Sequence, residues 1–261
     1  KTIARRRSSH KKVQQHRKER QKPPSTQKPP PEKSQQTSER PSKLPQPPPP
    51  ITMIPSPPDS SWPDAWLMPP AECTDQKAPN RRSPNVPVTA PQLRSLGISY
   101  WHLDPSSHSY PPLAVPWNPQ DSPDPHLSQL RDERGYSYAD IITVHPDTLP
   151  EYEAKVKSFF EEHIHDAEEI RYVLGGSGYF DVRNEEDEWV RIHVKTGDLI
   201  TLPEGIYHRF TVDEGDCIHA MRLFIGQPVW TPFNRPCEEH ESRKWYVREF
   251  LEAKEEEEVE G

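Results

Sequence analysis

The sequence predicts a mainly β fold, a barrel of short strands with a few flanking helices, preceded by a disordered extension. Three observations carry this. From about residue 138 to residue 225, short apolar runs alternate in period two and are separated by Gly, Pro, Asn and Asp turn signals. That is how antiparallel strands of a closed sheet read. Only a few stretches have helical spacing. The first 60 residues have a different composition from everything after them.

At 261 residues the chain has room for one large or two small domains, but 34 prolines and a mean hydropathy of −1.00 mean that much of it buries no core. Residues 1–50 hold fourteen Lys or Arg against three Asp or Glu, a net of +11 within a chain of −8, so the remainder carries −19. Residues 1–60 are therefore expected to be a disordered, basic, proline-rich extension with polyproline-II character in its second half. Three readings compete for it: a nuclear-localisation or nucleic-acid contact through Arg5, Arg6, Arg7, Lys11 and Lys12, a mitochondrial transit peptide, and a solvated extension. The last is favoured. Nucleic-acid binding is not expected, because no aromatic side chain interrupts the basic ones. The chain begins at Lys1 rather than Met, which leaves its native start open. No apolar run is long enough to span a bilayer, so no membrane partner is expected. Cys73, Cys217 and Cys237 are scattered and odd in number, which argues for a reducing compartment. The folded domain is expected over 61–254, with an acidic, solvated tail at 255–261.

Trp62, Trp66, Leu67 and Met68 form the first apolar cluster and open that domain. Residues 89–97 read as a short helix, with Thr89 at the N-cap, Pro91 in the first turn and Gly97 closing it. Residues 98–103 alternate as a strand. The Pro/Ser-rich stretch 104–125 is longer than a compact domain carries and reads as a loop insertion, with His108 exposed and inert. Residues 126–134 read as a helix and 138–144 as a strand. Asp147 or Thr148 is expected to cap a helix with Pro150 in its first turn and Leu149, Tyr152, Val156, Phe159 and Phe160 as its apolar stripe. Residues 178–183 and 189–194 read as a hairpin with its tip at 184–188, and 219–225 as a further strand. Trp245, Tyr246, Val247, Phe250 and Leu251 lie at helical spacing within 241–254, a helix packed on the barrel.

The chemistry concentrates between residues 159 and 210. In a strand, residues two apart face the same way, so His163 and His165 can aim both imidazoles at one ion. Glu169 shares their parity, but a straight strand would carry it roughly 13 Å past His165 at about 3.3 Å per residue. The chain must turn at Asp166, Ala167 and Glu168. Glu168, the rival carboxylate, has the wrong parity if the strand resumes at Glu169. Gly175, Gly176 and Gly178 are expected to punctuate that strand's end. Downstream, Gly197 and Asp198, then Leu199 to Leu202, then Pro203, Glu204 and Gly205 read as turn, strand and turn. His208 opens the next strand, with Phe210 on its face. Three neutral imidazoles and a carboxylate, completed by two waters, suit octahedral Fe(II), Ni(II), Mn(II) or Co(II) better than a closed structural zinc site.

Written as motifs, the two pieces are H-x-H-x3-E-x6-G and G-x5-P-x-G-x2-H, and both resemble the paired motifs of the cupin β-barrel. One departure is that Val212 stands where an Asn is usual, four residues after His208. The words FFEEHIH, EEIRYVL, GDLITLPEGIYHRFT and VWTPFNRP further resemble the acireductone dioxygenase family of methionine salvage, in a fungal-type form with a long N-terminal extension. The resemblance is dense over 101–236, thinner over 65–100, and absent from the first 60 residues.

The resemblance implies a cupin-type double-stranded β-helix barrel and one Fe(2+) or Ni(2+) per monomer held by His163, His165, Glu169 and His208. It implies a small-molecule acireductone, 1,2-dihydroxy-3-keto-5-methylthiopentene, and O2 as substrates. The Fe(II) form would give 4-methylthio-2-oxobutanoate and formate, and the Ni(II) form 3-methylthiopropanoate, formate and CO. Phe159 and Phe210 match positions that wall the substrate pocket. Arg171 shares the parity of Glu169, which places a catalytic cation beside the anionic substrate or, equally, a partner for Glu169. A monomer is expected, in cytoplasm and nucleus. Two alternatives use the same residues differently: another metal-dependent cupin enzyme, such as a manganese oxidase or sugar isomerase, and a non-catalytic cupin binding protein.

Overall fold

Twelve strands, all paired antiparallel, carry the fold among the described residues. The computed structural model describes residues 58–70, 73, 75–107, 115–116, 124–228 and 231–252. The chain divides into two units, Lys1–Gln46 and Pro47–Gly261, and every described residue lies in the second. Of the extension expected over 1–60, residues 1–57 lie outside the described residues, as do the acidic tail and His108, while residues 58–60 are described and Asp59–Ser61 forms a 3-10 turn. No helix among those described is long and apolar enough to cross a membrane.

In chain order the strands are β1 (Ala65–Leu67), β2 (Pro87–Val88), β3 (Ser99–His102), β4 (Val115–Pro116), β5 (Tyr138–Val144) and β6 (His163–Ile164). There follow β7 (Glu169–Arg183), β8 (Trp189–Lys195), β9 (Asp198–Leu202), β10 (His208–Val212), β11 (Ile218–Phe224) and β12 (Phe233–Asn234). The helices are α1 (Ala90–Ser95), α2 (Pro125–Arg134), α3 (Tyr152–Phe159) and α4 (Glu241–Tyr246). The mainly β barrel-type fold expected from the sequence is the one observed.

β7 organises it. Its first half pairs with β9 and β11, and its second half with β8 and β10. The expectation that Gly175, Gly176 and Gly178 end this strand is corrected: β7 runs through them for 15 residues. The glycines bend the strand from one sheet into the other. Gly176 pairs with Ile218 and Gly175 with His219, but Ala220 pairs with Val173, so Leu174 is the extra residue of a bulge. Gly176 sits at φ 76°, and a Cβ there would lie 2.0 Å from the Cys217 carbonyl oxygen.

Two apolar layers result. Ile200, Leu202, Val173, Phe180, Val182, Val212 and Ile218 belong to the main core. Leu199, Ile170, Tyr172, Met221 and Leu223 pack instead with Leu127 and Leu130 of α2. β9 is buried at all five positions because both of its faces are covered. At the second sheet's outer face, Asp181 on β7 bonds Arg191 on β8 through both its oxygens, at 2.7 and 2.9 Å, and also accepts from Arg209 on β10 at 2.8 Å. Arg191 is fully buried and also donates to the carbonyls of Gln76 and Ala78, which fastens the N-terminal segment to the barrel.

Local signals mostly act as the residues require. Thr89 accepts from the Gln92 amide while the Gln92 side chain accepts from the Thr89 amide, a capping box at α1. Three expectations are corrected. Asp147 and Thr148 do not cap α3; they lie in a preceding turn whose amides at Thr148 and Leu149 donate to the His145 carbonyl, and α3 starts after Glu151 at φ 57° without a side-chain cap. The stretch 104–125 is not wholly a loop, since β4 pairs with β5 and Asp124 caps α2 by accepting from the amides of His126 and Leu127. The last helix is α-helical only over α4 and continues as a π-helical turn, Val247–Glu252. That wider turn brings Phe250 within 5.7 Å of Trp245, five residues back, as well as 5.3 Å from Tyr246.

Gly176→Ala should lower stability by at least ~2 kcal/mol, because the new methyl meets backbone at a positive φ. Urea unfolding would show it as a lower midpoint with an unchanged slope.

Candidate metal centre

Two strand pairings assemble the centre. On β6, His163 lies directly opposite His208 of β10 on one side and Asn234 of β12 on the other. The Gly205 amide then donates to the His165 carbonyl at 3.0 Å, so the turn before β10 grips the chain just after β6. The chain bends at Asp166 and Ala167, and Glu169 begins β7.

These constraints bring His163, His165 and His208 together, with one ring nitrogen from each within 4.8 Å of the others. Their ring centroids are 4.5 to 5.3 Å apart. Each Nδ1 faces a backbone carbonyl: Glu161 at 2.7 Å for His163, Thr231 at 3.3 Å for His165, and Ile206 at 3.0 Å for His208. A carbonyl only accepts, so Nδ1 carries the proton and Nε2 keeps its lone pair. His208 Nε2 is buried and makes no hydrogen bond. Glu169 Oε2 lies 3.2 Å from His165 Nε2 and 3.4 Å from His208 Nε2.

The electrostatics suit a cation. Burial, then the neighbouring His208, pushes His163 down to about 4, so its ring is neutral near pH 7. Burial works against charge on Glu169 too, but Arg171 first, then His165 and His208, hold its carboxyl well below the usual range. Burial likewise opposes charging His165, yet the neighbouring Glu169 carboxylate prevails and raises it. A buried, unspent imidazole nitrogen beside two others and an ionised carboxylate is a donor set that fits a divalent ion.

Arg171 forms an ion pair with Glu169 Oε1 at 3.0 Å and donates to the Ile170 carbonyl at 2.9 Å. Of the two roles weighed for it, the pairing with Glu169 is present. Phe159 and Phe210 stack at 6.4 Å, and Phe210 meets Phe180 at 5.0 Å. Phe210 sits two residues past His208 and so shares its face of β10. Glu168 turns away from the cluster toward Arg134 and Tyr136.

Sequence reasoning missed Arg222, Asp140, Arg183, Arg235 and Asp187. Arg222 lies across from Arg171 and bonds Asp140 through both carboxylate oxygens at 2.6 Å. Arg235 and Asp187 complete a network in which Glu162, next to His163, accepts from Arg183 at 2.9 and 3.0 Å and from Arg235 at 2.8 Å. Arg235 also holds Asp187 at 2.8 and 3.0 Å. The signal for Arg222 and Arg235 alike was their place in the stretch AMRLFIGQPVWTPFNRP. A cavity of about 380 Å³ lined by Met68, Cys73, Phe160, Arg183, Trp189 and Arg209 is separate. Arg209 follows His208 in β10 and points to the other face.

The model of the ARD/ARD′ family matches residues 64–232. Acireductone dioxygenase 2 of Physcomitrium patens is 54% identical over 188 residues, covering 72% of this chain and 89% of that protein. Acireductone dioxygenase of Rattus norvegicus is 52% identical over 189 residues, covering 72% and 97%, and that of Homo sapiens 50% over 184 residues, covering 70% and 95%. The solved acireductone dioxygenase from Bacillus anthracis, with a cadmium ion in its active centre, has a similar fold: TM-score 0.51 at 18% identity, covering 66% of this chain and 98% of that one.

Arg171→Met should destabilise the metal-free protein by roughly 3 kcal/mol, because it strands the buried Glu169 carboxylate. Adding Glu169→Gln should recover part of that loss in urea unfolding. Purely additive effects would separate the two residues.

Proposed function

This chain belongs to the ARD/ARD′ family of acireductone dioxygenases, and on that premise we propose that His163, His165, Glu169 and His208 together hold its one divalent ion, Fe(II) or Ni(II). The activity is metal-dependent cleavage of a small-molecule acireductone by O2. What supports the ligand reading is the convergence of three imidazoles on an ionised carboxylate, with His208 Nε2 bonded to nothing.

When bound, the ion supplies the Lewis-acid charge that stabilises the substrate's enediolate. The chain's own groups do the rest. Arg171 neutralises Oε1 of Glu169 and leaves Oε2 to the imidazoles. Its guanidinium lies across from Arg222, and each is matched by a carboxylate, Glu169 and Asp140, so two ion pairs brace β7 and β11 beside the centre. Phe159, Phe210 and Phe180 form an apolar wall that excludes water and suits a thioether tail. The His165 side chain is 22% exposed against 2% for His208, so substrate enters on the His165 side. Family membership supports 1,2-dihydroxy-3-keto-5-methylthiopentene as the acireductone cleaved. The Fe(II) form would yield 4-methylthio-2-oxobutanoate and formate, and the Ni(II) form 3-methylthiopropanoate, formate and CO. The working unit proposed is a monomer, and the three free thiols fit a reducing setting, cytoplasmic and nuclear.

The test is to strip the protein, reload it separately with Fe(II) and Ni(II), and identify products under oxygen. The two metals should give the two product sets. His163→Ala with His208→Ala should lose bound metal and turnover together. One ion per chain retained in that double variant would overturn the ligand assignment.

A further inference from the structure

We infer that Arg134 and Tyr136, at the far end of α2, are positioning residues for the metal centre, acting through Glu168; this rests on the four-ligand reading above. The problem they solve is a choice between adjacent carboxylates. β6 ends at Ile164 and β7 begins at Glu169, so no strand pairing holds the turn between them. Strand side chains alternate, so a slip of one residue would send Glu168 inward and Glu169 outward. Arg134 bonds one oxygen of Glu168 and the Tyr136 hydroxyl donates to the other. Both lone-pair faces of the rival carboxylate are thus held on the outside, and Glu169 is left as the inward group.

The clamp is built for rigidity. The Arg134 side chain is 11% exposed and Glu168 29%, so this pair is shielded more than a surface ion pair. The Arg134 guanidinium lies 5.0 Å from the Trp101 ring and reaches Ser99 Oγ at 3.4 Å. Tyr136 is buried in the apolar layer with Leu127, Leu130, Ile170 and Tyr172. Gly135, at φ 72°, closes α2 and turns the chain so that the residues on both its sides face Glu168. The helix and the start of β7 are therefore bolted at one carboxylate, one residue from a ligand.

The test is Co(II) titration of the metal-free full chain, followed by visible absorbance of the bound ion. Tyr136→Phe keeps the ring and removes one donor; it should weaken Co(II) binding several-fold. Arg134→Met and Glu168→Gln should each weaken it roughly tenfold, the scale of lost outer-shell partners, and shift the visible bands. Arg134→Met combined with Glu168→Gln should be no worse than either alone, and Arg134→Lys should restore part of the affinity. Parental affinity and bands in Tyr136→Phe and Arg134→Met, or additive losses in the double variant, would overturn the inference. If Arg134→Met fails to fold by circular dichroism, Tyr136→Phe decides alone. If His208→Ala binds Co(II) as the parent does, the four-ligand reading itself has failed, a separable result.

Discussion

The pairing of His163 with His208 across β6 and β10 is the constraint on which the centre depends. Two residues 45 positions apart become immediate neighbours because antiparallel strands put opposed side chains within roughly 5 Å. Once that pair is set, His165 follows from the chain leaving β6, and Glu169 from the turn that feeds β7. The Nδ1 contacts to Glu161, Ile206 and Thr231 then fix each ring about its axis. Backbone, not side-chain packing, aims all three imidazoles, which is why a strand of only two described residues can carry a first ligand.

Charge is arranged by face. Inside, one carboxylate meets one guanidinium and three imidazole rings. Outside, carboxylates are bracketed by more than one arginine each: Asp181 by Arg191 and Arg209, Glu162 by Arg183 and Arg235. Buried pairs of this kind add little net stability over apolar packing, but breaking one strands a charge. They therefore resist rearrangement of the strands they join, and those strands carry His163 and His208.

Most of this was legible where parity is local. The H-x-H spacing, the turn at Asp166 and Ala167, and the strand opening at His208 follow from period-two alternation and turn residues. The place of Arg222 across from Arg171 was not legible, because the bulge at Leu174 shifts the pairing of β7 with β11, and nothing in the sequence marks which partner faces which. The glycines misled for a related reason: a bend and a stop use the same residue. Asp147 and Thr148 are good caps by type, but the His145 carbonyl captured their turn first. Helical spacing in 241–254 could not distinguish 3.6 from wider turns, since aromatic residues four and five apart satisfy both.

β7 belongs to both sheets at once, and this has a mechanical consequence. The two sheets cannot part like the halves of a shell without tearing a strand they share. Admission of a ligand must then be the business of rim segments, while the walls stay shut. The barrel behaves as a fixed vessel whose traffic passes over its lip.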